Sequence, residues 1–187
     1  MSEMTAQIPN TVIVQGKVFD IIGLSHGMLF SPEDYGFHPS LFHTACNDGY
    51  YARYQIVKNQ LFLDRLTIHS DNNVYPLLNG IVPQPSKKEY GCMVYDGVCL
   101  PVAYTGSIRL GSGVIDRYYL NLGYQKPSAF GTVIEYIFEE GLLMGEIDRS
   151  PDAAAIRGRF KRDFNNLSNG DIVEKIDRAL SLGMEWL

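Results

Sequence analysis

Residues with the potential for covalent chemistry are concentrated between His38 and Asp48. Cys46 follows His38 and His43, and Asp48 comes shortly after it. A cysteine next to a histidine base can act as a thiol nucleophile. Catalytic pairs of this kind are assembled in space, however, and closeness along the chain is weak support for one. Because a free cysteine is among the most frequently buried residue types, a structural thiol is the favoured interpretation of Cys46, and a nucleophile is the alternative.

The spacing of histidine and cysteine predicts no metal site and no cofactor. There is no pair of cysteines separated by two residues and no pair of histidines with helical spacing. The segment Gly111-Ser112-Gly113 is too short for a phosphate-binding loop and is predicted to be a turn. The histidines considered as ligands are His26, His38, His43 and His69.

Arginine and tyrosine form a second candidate site, here called the Arg–Tyr surface. Alternation along the predicted strands places these side chains on the face opposite the apolar residues. If the strands share one sheet, its open face carries both residue types, which are enriched at the energetic centres of protein interfaces. An ordinary polar sheet face is the alternative. The Arg–Tyr surface consists of Tyr51, Arg53, Arg109, Arg117 and Tyr119.

Two hairpins are predicted to begin the domain that positions these groups. Residues 49–68 alternate apolar and polar side chains on both sides of a turn at Lys58 and Asn59. The alternation shifts near Asp64 and Arg65, which predicts a β-bulge there. Residues 11–22 form the other hairpin, and residues 23–39 are a predicted loop that packs partly on the core.

Further strands and turns are predicted downstream of these hairpins. Residues 71–89 are rich in Asn, Pro and Gly and are predicted to form a surface loop. Turns are expected at Asp96-Gly97, at residues 111–113 and at residues 139–141. The predicted strands are residues 92–95, 98–110, 114–122, 132–138 and 142–147.

The C-terminal segment has the pattern of two helices, at residues 151–165 and 170–183. Ser150 is a suitable N-cap before Pro151, and Ile156, Phe160 and Phe164 form an apolar stripe. The predicted organisation is a flexible N-terminus at 1–10, a β-rich domain at 11–147, and a helical segment at 148–187 that packs on the same domain. The predicted fold class is α+β, mainly an antiparallel curved sheet or partly open β-barrel with two C-terminal helices.

Composition narrows the functional classes. Charged residues make up 20% of the chain and the net charge is −5, so nucleic-acid binding is not expected, although Arg157, Arg159, Lys161 and Arg162 form one basic run. No apolar run is long enough to cross a bilayer, and residues 1–10 lack the features of a signal peptide. Three cysteines without metal-type spacing are typical of reduced thiols in a cytoplasmic protein.

Two stretches resemble a family of small bacterial β-rich proteins that has no assigned activity. The resemblance covers residues 44–144 and implies a bacterial origin and a shared β-domain, but no catalytic residue. Members of that family tend to carry Trp where this chain has Tyr54. The first stretch is Thr44-Ala45-Cys46, Gly49-Tyr50, Tyr54-Gln55-Ile56 and Leu61-Phe62-Leu63; the second is Tyr104-Thr105-Gly106, Ile108-Arg109, Leu122-Gly123-Tyr124 and the hairpin at 133–144.

Two functional hypotheses follow. The first is a non-enzymatic protein-binding module that uses the Arg–Tyr surface, in its most concrete form a bacterial immunity protein or antitoxin that neutralises a toxin by direct binding. The second is a small enzyme or a carrier of a small ligand that uses the mouth of the barrel. No catalytic motif is assembled in the sequence, but sites built from several strands leave little sequence signal.

Overall fold

The structure is a computed structural model that describes residues 5–121 and 123–163, with side chains up to Arg157. It contains nine strands and one α-helix. Three short 3-10 helices lie at Pro32–Tyr35, Asp116–Tyr118 and Pro127–Ala129. The strands are β1 (Thr11–Val14), β2 (Lys17–Leu24), β3 (Tyr50–Val57), β4 (Gln60–Ile68), β5 (Gln84–Pro85), β6 (Met93–Pro101), β7 (Gly106–Val114), β8 (Phe130–Glu139) and β9 (Leu142–Asp148), and the helix is α1 (Ser150–Asp163).

All nine strands belong to one mixed sheet that curves into a partial ring. The strand order is β3-β1-β2-β7-β8-β9-β4-β6-β5, and β3 also pairs with β4. The ring is therefore formed by β3, β1, β2, β7, β8, β9 and β4, while β6 and β5 extend beyond β4. Its narrowest junction is between β4 and β9, which share the single residue pair Gln60 and Leu142. The predicted β-rich curved sheet is confirmed, but the ring is not a clean barrel.

The described strands are mainly antiparallel, as predicted, with one exception. β1 and β3 run parallel, pairing Thr11 with Arg53. Inside the ring, apolar side chains from opposite strands form the main core. The burial of Ala52 and Tyr54 on β3 follows from the alternation of side chains along a strand. On β4, Leu63 and Leu66 are both buried because the register shifts between them.

Both N-terminal hairpins are confirmed. β1 and β2 pair around the turn at Gln15 and Gly16, and β3 and β4 pair around Lys58 and Asn59. The β3–β4 register shifts so that Arg53 faces Arg65 whereas Tyr54 faces Leu63. This shift leaves Asp64 as an additional residue in β4, which is the predicted bulge.

Three predicted features of the second half are wrong. Asp96 and Gly97 do not form a hairpin turn, because β6 continues through them with a bulge opposite the one in β4. Residues 111–113 do not form a turn either, because they lie within β7. A Cβ atom on Gly111 would come within 2.7 Å of Phe130 Cγ, so this glycine provides space for an aromatic ring. The strand predicted at 114–122 is absent from its described part, which contains the short helix Asp116–Tyr118.

Helix α1 packs against the outer face of the ring and confirms the first of the two predicted helices. Its Ala153 joins Ile22, Phe130 and Val133 in a second apolar cluster outside the ring. Ser150 does not act as a simple N-cap: its Oγ bonds with the backbone of Val133, while Asp148 Oδ1 accepts a hydrogen bond from the Ser150 N–H at 2.9 Å. The second predicted helix, residues 170–183, lies outside the described residues.

The segment between β4 and β6, predicted to be a surface loop, runs along the outer edge of β6. Its Leu78 is buried in the core, and its short strand β5 pairs with the start of β6. Further along, Asn79 Nδ2 donates hydrogen bonds to Val98 O at 2.7 Å and to Cys99 O at 3.4 Å. The loop thereby supplies partners to backbone groups at the edge of the sheet.

Candidate functional site

A short segment between β2 and the first 3-10 helix crosses the end of the ring where β2 ends and β3 begins. We call residues 25–31 the mouth segment. Tyr104 Oη donates a hydrogen bond to His26 O at 3.1 Å, and Tyr50 Oη donates one to Phe30 O at 3.1 Å. Two tyrosines from distant parts of the sequence therefore hold the mouth segment near its two ends.

The first attachment point is a close contact with the start of β7. Ser25 Oγ accepts a hydrogen bond from the Ser107 N–H at 2.9 Å and lies 3.0 Å from His26 Nδ1. A Cβ atom on Gly106 would come within 2.5 Å of Ser25 Oγ and 2.9 Å of Tyr104 Oη. Only glycine leaves room for this contact, which explains the glycine in the Tyr-Thr-Gly motif.

The second attachment point is built by the Cys-x-x-Gly-Tyr stretch. Cys46 Sγ donates a hydrogen bond to Tyr50 O at 3.3 Å, and the Gly49 N–H donates to Cys46 O. Gly49 has a φ angle of +74°, and a Cβ there would come within 2.5 Å of Ser40 O. These contacts fix the start of β3 and hold Tyr50 under the mouth segment. Both sequence motifs therefore serve the same end of the ring.

A cavity of about 670 Å³ opens beside the mouth segment. We call it the mouth cavity. Its floor includes the buried side chains of Ile21, Phe30 and Tyr54, and its exposed rim includes His26, Glu33 and Asp48. A second cavity, of about 240 Å³, also includes residues 28–30 in its wall. The mouth segment thus separates two concave surfaces.

The mouth cavity has a negative electrostatic character. Burial raises the pKa of Tyr50 to about 12, and the carboxylates of Asp48 and Glu33 contribute to the shift, followed by Cys46. Asp48 also accepts a hydrogen bond from Tyr124 Oη at 3.2 Å, and Glu33 accepts one from Ser31 Oγ at 3.2 Å. Within the described part of the chain, neither Glu33 nor Asp48 forms a salt bridge.

The geometry does not favour nucleophilic catalysis by the residues near this cavity. Cys46 is 4% exposed, and burial together with Asp48 and Glu89 raises the pKa of its thiol to about 12, so the thiol is neutral at pH 7. Ser25 and His26 form a hydroxyl–imidazole pair, and Ser25 Oγ also accepts the Ser107 N–H and lies 3.3 Å from Tyr104 Oη, so the hydroxyl belongs to the network that attaches the mouth segment. Both groups are explained by their structural contacts.

The structure brings together only two members of the Arg–Tyr surface. Tyr51 and Arg53 share the outer face of β3, as predicted, and both are half-buried. The Arg53 guanidinium contacts Asp64 at 2.6 Å and Asp96 at 3.3 Å. Burial raises the pKa of Tyr51 to about 12.

The other three members lie elsewhere. Arg109 is 4% exposed and pairs with Glu135 at 3.0 Å, so the prediction that its side chain is on an open face is wrong. The guanidinium of Arg117 stacks over the Tyr118 ring at 4.8 Å, and Tyr119 follows the same short helix. The sheet order places β1 and β2 between β3 and β7, which divides the proposed surface.

Two further features of the sequence are its possible metal ligands and the basic run that begins at Arg157. In residues 5–121 and 123–163, no group of three or more His, Cys, Asp or Glu side chains could hold a metal ion. Arg157, the first residue of the basic run, donates hydrogen bonds to Phe130 O at 2.8 Å and Ser128 O at 3.3 Å. It therefore anchors α1 on the sheet rather than extending into solvent.

Sequence reasoning did not identify the mouth segment as part of a site. A signal was present, because Tyr50 and Tyr104 belong to the two stretches that carry the family resemblance, yet their hydrogen bonds to the mouth segment span 20 and 78 residues. No local sequence pattern predicts contacts between residues so far apart in the chain.

Comparisons with models of protein families, with curated proteins and with solved structures found no match to this chain. The resemblance to small bacterial proteins stays a prediction. Among the described helices, none has both the length and the apolar character needed to cross a membrane.

Proposed function

We propose that this protein binds a small organic molecule in the mouth cavity. The observation that supports the proposal is the cavity itself, whose apolar floor and polar rim lie at the end of the ring. Its volume of about 670 Å³ falls within the range of ligand pockets, about 300–1,000 Å³. The proposal corresponds to the hypothesis of a small-ligand carrier that uses the mouth of the ring. The neutral Cys46 thiol argues against the alternative hypothesis of an enzyme at the same place.

The construction of the walls supports the proposal. Tyr50 and Tyr104 fix the mouth segment by hydrogen bonds to its carbonyl groups, and Gly106 permits close packing at one end. A wall held in this way keeps its shape in the absence of a ligand. Preformed sites bind more tightly because less conformational entropy is lost on binding.

Nuclear magnetic resonance can test the proposal with a mixed set of neutral, cationic and anionic fragments. Fragments that bind should shift the backbone amide signals of residues 21–30 and 48–54 and leave those of β8 unchanged. Leu24→Trp, which fills the cavity from its wall, should abolish the shifts. Val18→Trp, at the exposed opposite end of β2, is the matched control and should retain them.

Two results would contradict small-molecule binding. One is a complete absence of shifts at the cavity with every class of fragment. The other is equal binding by wild type and Leu24→Trp, provided that the variant gives the spectrum of a folded protein.

Protein binding is the second candidate, and one observation favours it. Val74, Leu77, Val82 and Tyr90 are exposed apolar residues along the loop that precedes β6, and Tyr90 is fully exposed. Exposed aromatic and aliphatic side chains are typical of interaction surfaces. We propose this loop, rather than the divided Arg–Tyr surface, as the contact region for a protein partner. An immunity protein or antitoxin is one form of this hypothesis.

Native mass spectrometry of the protein purified from its own host tests this second candidate. A stoichiometric complex that is lost in Leu77→Ser/Tyr90→Ser but kept in Met144→Ser would support it, because Met144 on β9 is as exposed as Leu77. Recovery of the free chain alone under gentle conditions would contradict it.

A further inference from the structure

We infer that the ligand of the mouth cavity is an organic cation, an amine or quaternary ammonium group attached to an apolar body. The inference rests on the proposed small-molecule function and specifies its ligand class. Three features of the cavity lead to it: the sign of its charges, the aromatic rings in its wall, and the depth at which polar and apolar groups lie.

The charged groups of the cavity carry negative charge. Glu33 and Asp48 line it together with the titratable imidazole of His26, and its lining contains no Lys or Arg. By contrast, Asp64 contacts Arg53, and Glu135 contacts Arg109. Within residues 5–121 and 123–157, the two rim carboxylates accept side-chain hydrogen bonds from the hydroxyl groups of Ser31 and Tyr124 and form no salt bridge. Their charge therefore remains available to a ligand.

The aromatic rings favour the same ligand class. Phe30, Tyr50 and Tyr54 line the cavity, and the rings of Phe30 and Tyr50 meet edge to face with centroids 6.4 Å apart. The faces of aromatic rings attract cations through their quadrupole. An ammonium group held by the rim carboxylates beside the half-buried Tyr50 ring would be attracted by both, whereas a neutral or anionic group of the same size would not.

The pKa of the Tyr50 hydroxyl group reflects the negative charge around it. Its raised pKa has burial as its first cause, followed by the carboxylates of Asp48 and Glu33. Both carboxylates therefore act on the same point beneath the mouth segment. A ligand ammonium group near that point would interact with both of them at once.

The depth of these groups predicts the orientation of the ligand. Glu33 and Asp48 are exposed at the rim, whereas Ile21 and Tyr54 are buried at the floor. The apolar body of the ligand enters first, and the cationic group remains between the rim carboxylates. This arrangement avoids the desolvation cost of placing a charge deep in an apolar cavity.

Three probes of nearly the same shape test the inference: benzylamine, benzyl alcohol and benzoate. Their affinities can be measured by titrating the amide signals of residues 21–30. Wild type should bind benzylamine about tenfold more tightly than benzyl alcohol, which corresponds to the combined strength of an exposed ion pair and a cation–π contact. Benzoate should bind most weakly, and added salt should reduce the preference for benzylamine.

Variants of the rim identify the source of the preference. Glu33→Gln/Asp48→Asn should bind benzylamine and benzyl alcohol equally, and Asp48→Lys should shift the preference towards benzoate. Glu139→Gln removes an exposed carboxylate on β8 and is the matched control, so it should retain the wild-type preference.

The outcomes separate the two proposals. Equal affinity of wild type for benzylamine and benzyl alcohol, or a preference for benzoate, would overturn the cation inference and leave small-molecule binding intact. An unchanged preference in Glu33→Gln/Asp48→Asn would also overturn it. Failure of every fragment class to bind at the cavity would overturn both.

Discussion

Carboxylates occupy two regions of this protein in opposite ways. On the outer face beneath α1, Glu135 is buried and accepts hydrogen bonds from Arg109 at 3.0 Å and Arg149 at 3.1 Å. At the mouth, Glu33 and Asp48 are exposed and have no cationic partner among the described residues. In the first region the carboxylate is paired with arginines of the chain itself, whereas in the second we propose that a ligand supplies the cation.

This contrast separates the residues that stabilise the sheet from the residues that we propose bind a ligand. Glu135 links β7, β8 and the start of α1, so its interactions stabilise the fold. The mouth is held by neutral contacts instead, namely the hydroxyl groups of Tyr50 and Tyr104 and the close approach at Gly106. We therefore expect a change of either carboxylate at the mouth to cost less stability than a change of Glu135.

Glu135→Ala should have the largest effect on stability. The substitution removes the carboxylate that pairs with the buried Arg109 cation, and breaking a buried pair from one side costs about 3 kcal/mol in the free energy of unfolding. Urea unfolding measures this loss. Arg109→Met/Glu135→Leu should lose less, because no charge remains buried. A loss in Glu135→Ala no larger than in the exposed control Glu139→Gln would contradict the proposed role of the helix-covered face.

Gly106→Ala should have the next largest effect, about 2 kcal/mol, because the new Cβ would collide with Ser25 and Tyr104 at a positive φ angle. Gly97→Ala is the matched control: it also has positive φ, but nothing lies within 4 Å of its Cβ position. Its loss should be about 1 kcal/mol from backbone strain alone. Equal losses by urea unfolding would show that the close approach at the mouth contributes nothing.

Tyr104→Phe should cost about 1 kcal/mol, the typical net contribution of one hydrogen bond. The effect should be local, because the hydroxyl group bonds to His26 O in the mouth segment. Amide hydrogen exchange should therefore accelerate in residues 25–31 and remain unchanged in β8. Tyr90→Phe, at a fully exposed position, is the control. Uniform acceleration throughout the chain would argue against a specific attachment of the mouth segment.

The smallest predicted effect concerns pH. Burial of Glu135 raises the pKa of its carboxyl, but the hydrogen bonds and charges of Arg109 and Arg149 outweigh burial and lower it below the usual value. The stabilisation is therefore present above the unfolded pKa of about 4.3 and is lost as pH falls through the folded pKa. The difference in unfolding free energy between wild type and Glu135→Gln should shrink from pH 6 to pH 3. A difference that stays constant would contradict this linkage.

Local patterns in the sequence predict the two N-terminal hairpins and helix α1 well. The β3–β4 hairpin follows from strict alternation, and the bulge at Asp64 follows from the point where that alternation shifts. Helix α1 follows from the proline and acid in its first turn and from its apolar positions. In each case the residues that determine the structure are close neighbours in the chain.

Long-range contacts explain the features that the sequence did not predict. Alternation correctly placed Arg109 outside the ring, but it could not show that Glu135 and Arg149 meet it there beneath α1. The segment Gly111-Ser112-Gly113 has the composition of a turn, yet it lies within β7, and Gly111 leaves space for the ring of Phe130. The mouth cavity depends on Tyr50 and Tyr104 meeting one segment from different strands, which no local pattern encodes.

The loop along β6 has a consequence for solubility. An uncovered strand edge can pair with another chain and begin aggregation, and the ring removes most edges by joining strands to one another. At β6 the chain supplies its own cover, with β5 at Met93 and Val94 and the Asn79 side chain at Val98 and Cys99. Pro85 cannot donate a backbone hydrogen bond, which discourages growth of the sheet beyond β5. We therefore expect Asn79 and Pro85 to oppose self-association through this edge of the sheet.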